Sequence, residues 1–147
     1  MDDARKLTMS SEDAEQEGVI QWARMLTGRY PELALLHHIP NEGKRSSATG
    51  RKLQRLGVLA GVPDLHLPVA KAGYYSLYIE MKYGSNRLQK TQKEFLTAAA
   101  AEDNYCVVCY TAEDAIGVIE DYLHNLTSWP NLSIIKGGKR SGIIKQP

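Results

Sequence analysis

An aspartate, a glutamate and a lysine stand in two short blocks of this chain. Asp64 closes Gly61-Val62-Pro63-Asp64, and after fifteen intervening residues comes Glu80-Met81-Lys82. Carboxylates are hard oxygen ligands. A pair of them suits Mg²⁺, which binds through one or two carboxylates, waters and a substrate phosphate. Lys82 lies two residues past Glu80, on the same side of an extended chain. There its amine could orient or help deprotonate a water, or stabilise charge on a phosphate. Standing alone, Glu-x-Lys on a strand is more often a solvated ion pair, worth about 0–1 kcal/mol.

The stretch between the blocks decides whether the two acids meet. Leu65, Leu67 and Val69 alternate with His66 and Pro68, a period of two, so 64–69 is expected as a half-buried strand. Lys71-Ala72-Gly73 supplies a turn. Residues 74–82 alternate again, with Tyr75, Leu77, Ile79 and Met81 on one face and Ser76, Tyr78, Glu80 and Lys82 on the other. A three-residue loop sets Ala70 opposite Tyr74, Leu67 opposite Leu77, Leu65 opposite Ile79 and Asp64 opposite Glu80. A slip of one residue would set leucines against charges. Opposed side chains have Cβ atoms about 4.5–5.5 Å apart, where like charges destabilise a sheet. A divalent cation is one reason for such a pair to exist.

A helix is expected from Ser10 or Ser11 to about Gly28, with Val19, Trp22, Ala23 and Leu26 repeating at helical spacing. Glu15 continues that core-facing stripe toward the N-terminus. Glu12 lies a turn earlier on the same stripe and Glu17 points elsewhere; an inward-facing glutamate here could add a ligand to the site on the sheet. Residues 33–39 are expected as a first strand. His37 and His38 are adjacent and face opposite ways, which makes them a poor metal pair. A short helix is expected in the second half of 46–59. After the hairpin come a helix over 90–104, with Gln89 and Gln92 near its start, and an apolar strand at 105–110. A helix capped by Thr111 follows, over 112–126, with Ala115, Ile116, Ile119 and Leu123 inward. Helices and strands in this order predict an α/β fold with a mixed sheet flanked by helices.

At 147 residues the chain has room for one domain with a sizeable core. No run of about 18 apolar residues is present, so no membrane span is expected. The first residues do not resemble a signal peptide, and a reducing, cytoplasmic setting is expected. The net charge of +1 conceals an asymmetry. Acids crowd the N-terminus, while 43–63 carries Lys44, Arg45, Arg51, Lys52 and Arg55 and no acid. Such a stretch suits phosphate contact. Residues 1–10 are expected to fray. Residues 11–127 are expected to form the domain, and 128–147 a basic tail or arm. Gly137-Gly138-Lys139-Arg140-Ser141 lacks the P-loop pattern. Cys106 and Cys109 have no second pair for zinc and, three apart on a strand, are expected as buried thiols on opposite faces.

With Gly61-Val62-Pro63-Asp64-Leu65, Ile79-Glu80-Met81-Lys82, the Ile39-Pro40-Asn41-Glu42 turn with Arg45, and the Gln92 region in view, the chain resembles the VRR-NUC family. These are the virus-type replication-repair nucleases of the PD-(D/E)xK superfamily. The resemblance spans about Glu12 to Leu123. It implies a restriction-endonuclease-like fold and Mg²⁺- or Mn²⁺-dependent cleavage of DNA phosphodiesters. It assigns metal ligation to Asp64, Glu80 and the main-chain carbonyl of Met81, the water- or phosphate-facing role to Lys82, the helix carboxylate to Glu15 and the post-motif glutamine to Gln92. It also implies a phage or bacterial protein acting as a homodimer on branched DNA, in the manner of a Holliday-junction resolvase.

Two rival readings remain open on the residues alone. One is a DNA-binding module that keeps the fold without turnover, against which the intact Asp64, Glu80 and Lys82 set stands. The other is a metal-free carboxylate-pair glycosidase, which needs an aromatic-lined sugar cleft that a chain of this length is short for.

Overall fold

Ser11 stands directly ahead of three acidic residues and an apolar stripe, and its hydroxyl accepts from the N–H of Asp13 at 3.3 Å. That cap opens helix α1 (Glu12–Met25), whose first-turn acids also complement the helix dipole. The fold is taken from a computed structural model that describes residues 11–40 and 47–142. Val19 and Ala23 of α1 are buried, with Trp22 and Leu26 packed against the same core. The helix stops at Met25, short of Gly28.

The expected strand over 33–39 is mostly a 3₁₀ helix, Pro31–Leu35, leaving only β1 (His37–His38). Proline explains the difference. Its fixed φ favours a first helical turn, where its missing N–H costs nothing, and the turn carries Leu33 into the core. Helix α2 (Ser47–Arg55) follows, then β2 (Leu65–Leu67), β3 (Leu77–Met81), α3 (Lys90–Ala101), β4 (Tyr105–Cys109) and α4 (Ala112–Leu123). Thr111 caps α4, accepting from the N–H of Asp114 at 3.1 Å. Ala115, Ile119 and Leu123 face inward as expected. Val118 and Tyr122 complete that face, and Ile116 is only half-buried.

The β2–β3 register is the expected one, with Leu65 opposite Ile79 and Leu67 opposite Leu77. The connection differs. Lys71 and Tyr74 bridge around a two-residue turn, Ala72-Gly73, with both φ values positive, so Ala70 is not the partner of Tyr74. This is the backbone a tight hairpin turn requires. The one-residue offset is taken up at Pro68, where the N–H of Val69 bonds the carbonyl of Leu67 at 2.9 Å.

Within the segment expected as a tail, the described residues 128–142 are part of the fold. β5 (Leu132–Lys136) and β6 (Lys139–Gly142) extend the sheet, joined by Gly137-Gly138, both at positive φ. The sheet therefore has six strands in chain order. β1–β2–β3 and β5–β6 are antiparallel, while β3–β4 and β4–β5 are parallel, linked through α3 and α4. Parallel neighbours need such crossovers. The domain accordingly runs past 127, to at least Gly142. Two basic residues of this segment are engaged: Lys136 lies over the ring of Tyr110, and Arg140 over those of Tyr105 and Trp129.

α1 and α4 cover one face of the sheet, on a core that includes Leu65, Ile79, Met81, Val107 and Cys109. α3 covers the other, on Leu96, Cys106 and Val108. The two cysteines thus lie in different layers, both reduced and buried. Burial pushes their thiols well up, that of Cys106 to about 12, so neither is a nucleophile near neutral pH. No helix among the described residues is long and apolar enough to cross a membrane.

Candidate active site

Asp64 is held from two sides by main chain. Its carbonyl accepts from the N–H of Ile39 at 2.8 Å and lies 2.8 Å from Nδ1 of His38. A carbonyl only accepts, so the His38 ring bonds it as the donor. The Asp64 carboxylate crosses to β3, where Oδ2 accepts from the N–H of Met81 at 2.8 Å. The aspartate therefore reaches the peptide that follows Glu80, one step beyond the Leu65–Ile79 pair.

Glu80 is only 3% exposed. Burial first, and then the nearby Asp64 carboxylate, push its pKa up to about 9. Lys82 opposes the rise, whereas Glu12 and a side-chain hydrogen bond with Asp64 add to it. Glu80 Oε2 lies 3.8 Å from Lys82 Nζ and accepts from Gln92 Nε2 at 3.1 Å. Lys82 is 5% exposed, and its backbone N–H bonds the carbonyl of Cys109 at 2.9 Å, at the end of β4.

Gln92 links this cluster to α3. Its Oε1 accepts from the backbone N–H of Gln89 at 2.9 Å while its Nε2 serves Glu80, so one side chain closes the helix start and orients a carboxylate. Gln89 is the N-cap of α3 and also lines the surrounding space. Gly61 makes the approach possible. It has φ +88°, and a Cβ there would lie 2.3 Å from the carbonyl oxygen of Thr91 and 2.8 Å from the nitrogen of Gln92. The Gly-Val-Pro-Asp segment can run against the start of α3 only without a side chain at this position.

Asp64, Glu80, Lys82 and Gln92 all line one open cavity of about 580 Å³, walled also by the start of α1 and by the loop after β3. Among the described residues no three acid, His or Cys side chains gather tightly enough to cage an ion by themselves. Mg²⁺ does not require that, since it commonly keeps several waters. The donor set fits such an ion: two adjacent carboxylates, one forced toward its neutral form by the other and by burial.

The VRR-NUC domain model matches residues 4–113. A solved structure described as a VRR_NUC domain protein is 31% identical to this chain and superposes with a TM-score of 0.65, over 78% of this chain and 89% of its own. The chain belongs to the VRR-NUC family. That family consists of nucleases of the PD-(D/E)xK type. No curated protein matches the chain. The six-stranded mixed sheet of this VRR-NUC domain is consistent with a restriction-endonuclease-like fold.

Other expected site residues of the VRR-NUC domain fall differently. Glu15 does not line the cavity. Its Oε1 accepts from the N–H of Ala112 at 3.2 Å, tying α1 to the start of α4. Glu17 is exposed and pairs with Gln21. Glu12 is the helix acid with a direct bearing on the site: it lines the cavity, lies 3.4 Å from Asn86 Nδ2 and acts on the charge of Glu80. Arg51, Lys52 and Arg55 are exposed on α2 and do not line the cavity, although the chain that follows them, Ala60-Gly61-Val62, does. Lys44 and Arg45 lie outside the described residues. Gln16, next to Glu15 in α1, lines the cavity, and the sequence reading missed Asn86 and Arg87, which line it as well. No motif flagged them; only the folded return of the loop after β3 to α1 brings them in.

Proposed function

We propose that this VRR-NUC protein is a metal-dependent endonuclease that hydrolyses DNA phosphodiester bonds and acts selectively on branched DNA. The observation that carries the reading is the buried Glu80 carboxyl set against Asp64 and Lys82, with its pKa raised to about 9. Such a conflict weakens a fold and tends to mark a functional site. Mg²⁺ or Mn²⁺ would be held by Asp64, Glu80 and the Met81 carbonyl, with Glu12 in place of Glu15 as the helix carboxylate. Such an ion lowers the pKa of water and neutralises charge on a phosphate.

The chain supplies the rest. Gln92 holds the Glu80 carboxyl in one orientation from α3. Lys82, almost fully buried, lines the cavity, where its amine would donate to a water or to a phosphate oxygen. The exposed bases of α2, with Lys44 and Arg45 ahead of them, suit the DNA backbone on either side. Selectivity for branched DNA and action as a homodimer follow the family resemblance. Incubation of linear, flapped, forked and four-way DNA with Mg²⁺, beside a sizing column, tests this. Faster cutting of the branched forms by a dimer is expected. Equal cutting of all forms would remove the selectivity, and DNA binding without cutting in either Mg²⁺ or Mn²⁺ would favour a non-catalytic binding module.

A further inference from the structure

Two cations line the cavity among the described residues, Lys82 and Arg87, against four acids, Glu12, Asp13, Asp64 and Glu80. They sit in opposite circumstances. Lys82 is buried, and its charge is engaged by Glu80 at 3.8 Å. Arg87 is exposed, in the loop between β3 and α3. A polyanion approaching four carboxylates needs an accessible positive charge, and a charge already in water costs little to present.

The backbone around Arg87 is anchored on both sides. The Asn86 carbonyl accepts from the hydroxyl of Tyr110, the Asn86 N–H bonds the carbonyl of Tyr83 at 3.1 Å, and its side-chain amide reaches Glu12. On the other side Leu88 packs into the core under α3. An exposed side chain thus springs from a held loop at the cavity. A guanidinium presents a planar fork that matches two phosphate oxygens at once, as an ammonium does not.

We infer that Arg87 is a phosphate-binding residue of the active site, gripping the backbone of the DNA strand that enters the cavity. This rests on the nuclease reading above and adds to it a phosphate contact from outside the motif residues.

The test has a binding arm and a turnover arm. Binding is measured by fluorescence anisotropy on four-way DNA across a salt series, in a Glu80→Gln background. Turnover is measured with Mg²⁺ in the otherwise native chain. Arg87→Gln should leave the melting temperature unchanged and weaken binding roughly ten- to hundredfold, the range for charge-assisted hydrogen bonds. It should also lower the salt slope by about 1, with a matching fall in kcat/KM. Arg87→Lys should restore the slope but not kcat/KM, since it keeps the charge and loses the fork. Arg29→Gln is the control, because Arg29 is exposed against Tyr30 and does not line the cavity. If Arg87→Gln matches Arg29→Gln in both arms, the assignment is overturned. DNA bound but never cut would defeat the nuclease reading and leave the binding arm to decide Arg87. A native chain that binds no DNA would defeat both.

Discussion

The carboxylate of Asp64 and the backbone N–H of Met81 meet at 2.8 Å across the β2–β3 ladder. This bond ties the aspartate to the peptide that follows Glu80. The two acids are therefore held together by main-chain geometry as well as by any ion they share.

The buried Glu80 carboxyl has a pH signature. The Glu80 pKa is about 9 in the folded chain, against an ordinary value of 4.5, so between these pH values the folded state holds a proton that the unfolded state has lost. Stability from this group is full below about pH 4.5 and is lost as pH rises toward 9. The metal-free protein should melt at lower temperature at about pH 8.5 than at about pH 6, and Glu80→Gln should flatten that slope. Because Glu80 must give up its proton to act as a ligand, added Mg²⁺ should raise the melting temperature more at the higher pH. A Glu80→Gln profile parallel to the native one would place the proton elsewhere.

Gly61→Ala puts a methyl group into the backbone of Thr91 and Gln92 at a φ that alanine disfavours. A loss of roughly 2–4 kcal/mol is expected from overpacking and left-handed strain together. Gln92 should be displaced from Glu80 as well, so residual activity of the folded fraction should fall. Urea melts read beside cleavage rates check both. A variant as stable as the native chain would show that Gly61 does not make the close approach described.

A chain ended at Leu126 loses β5 and β6. It strips the neighbour from β4, all five of whose residues are buried. It also removes Asn131, whose amide donates to the carbonyls of Ala100 and Asn104. An unpaired apolar strand at a sheet edge invites aggregation. The shortened chain should be insoluble or melt far lower, by thermal melt and sizing column. An unchanged melt would restore the reading of this segment as an arm.

Much of this was legible before folding because it was local. The alternation in 65–69 and 75–81 is enough to set Leu65 against Ile79, and Ser11 and Thr111 announce the helices they cap. The misreadings came from contacts at long range. Glu15 shares a stripe with Val19, and that stripe points inward, but inward there means the start of α4. Only packing distinguishes that end from the sheet. β5 and β6 looked like a tail because Lys136, Lys139 and Arg140 dominate their composition. Two of those charges lie over aromatic rings, and Gly137-Gly138 is the turn signal that the basic residues obscured. Pro31 was likewise the sign that the stretch after it would begin as a helical turn.

The central claim is that Asp64 and Glu80 act together on a DNA phosphate with a divalent cation. Its most direct test is the cleavage of four-way DNA by the native chain, by Asp64→Asn and by Glu80→Gln, each with Mg²⁺ and then with excess chelator, after circular dichroism shows all three folded. Cutting should occur only in the native chain with Mg²⁺, and each substitution should reduce it by a factor on the order of 100 or more. A folded Asp64→Asn or Glu80→Gln protein that cuts as fast as the native chain, or native cutting that survives the chelator, would contradict the claim.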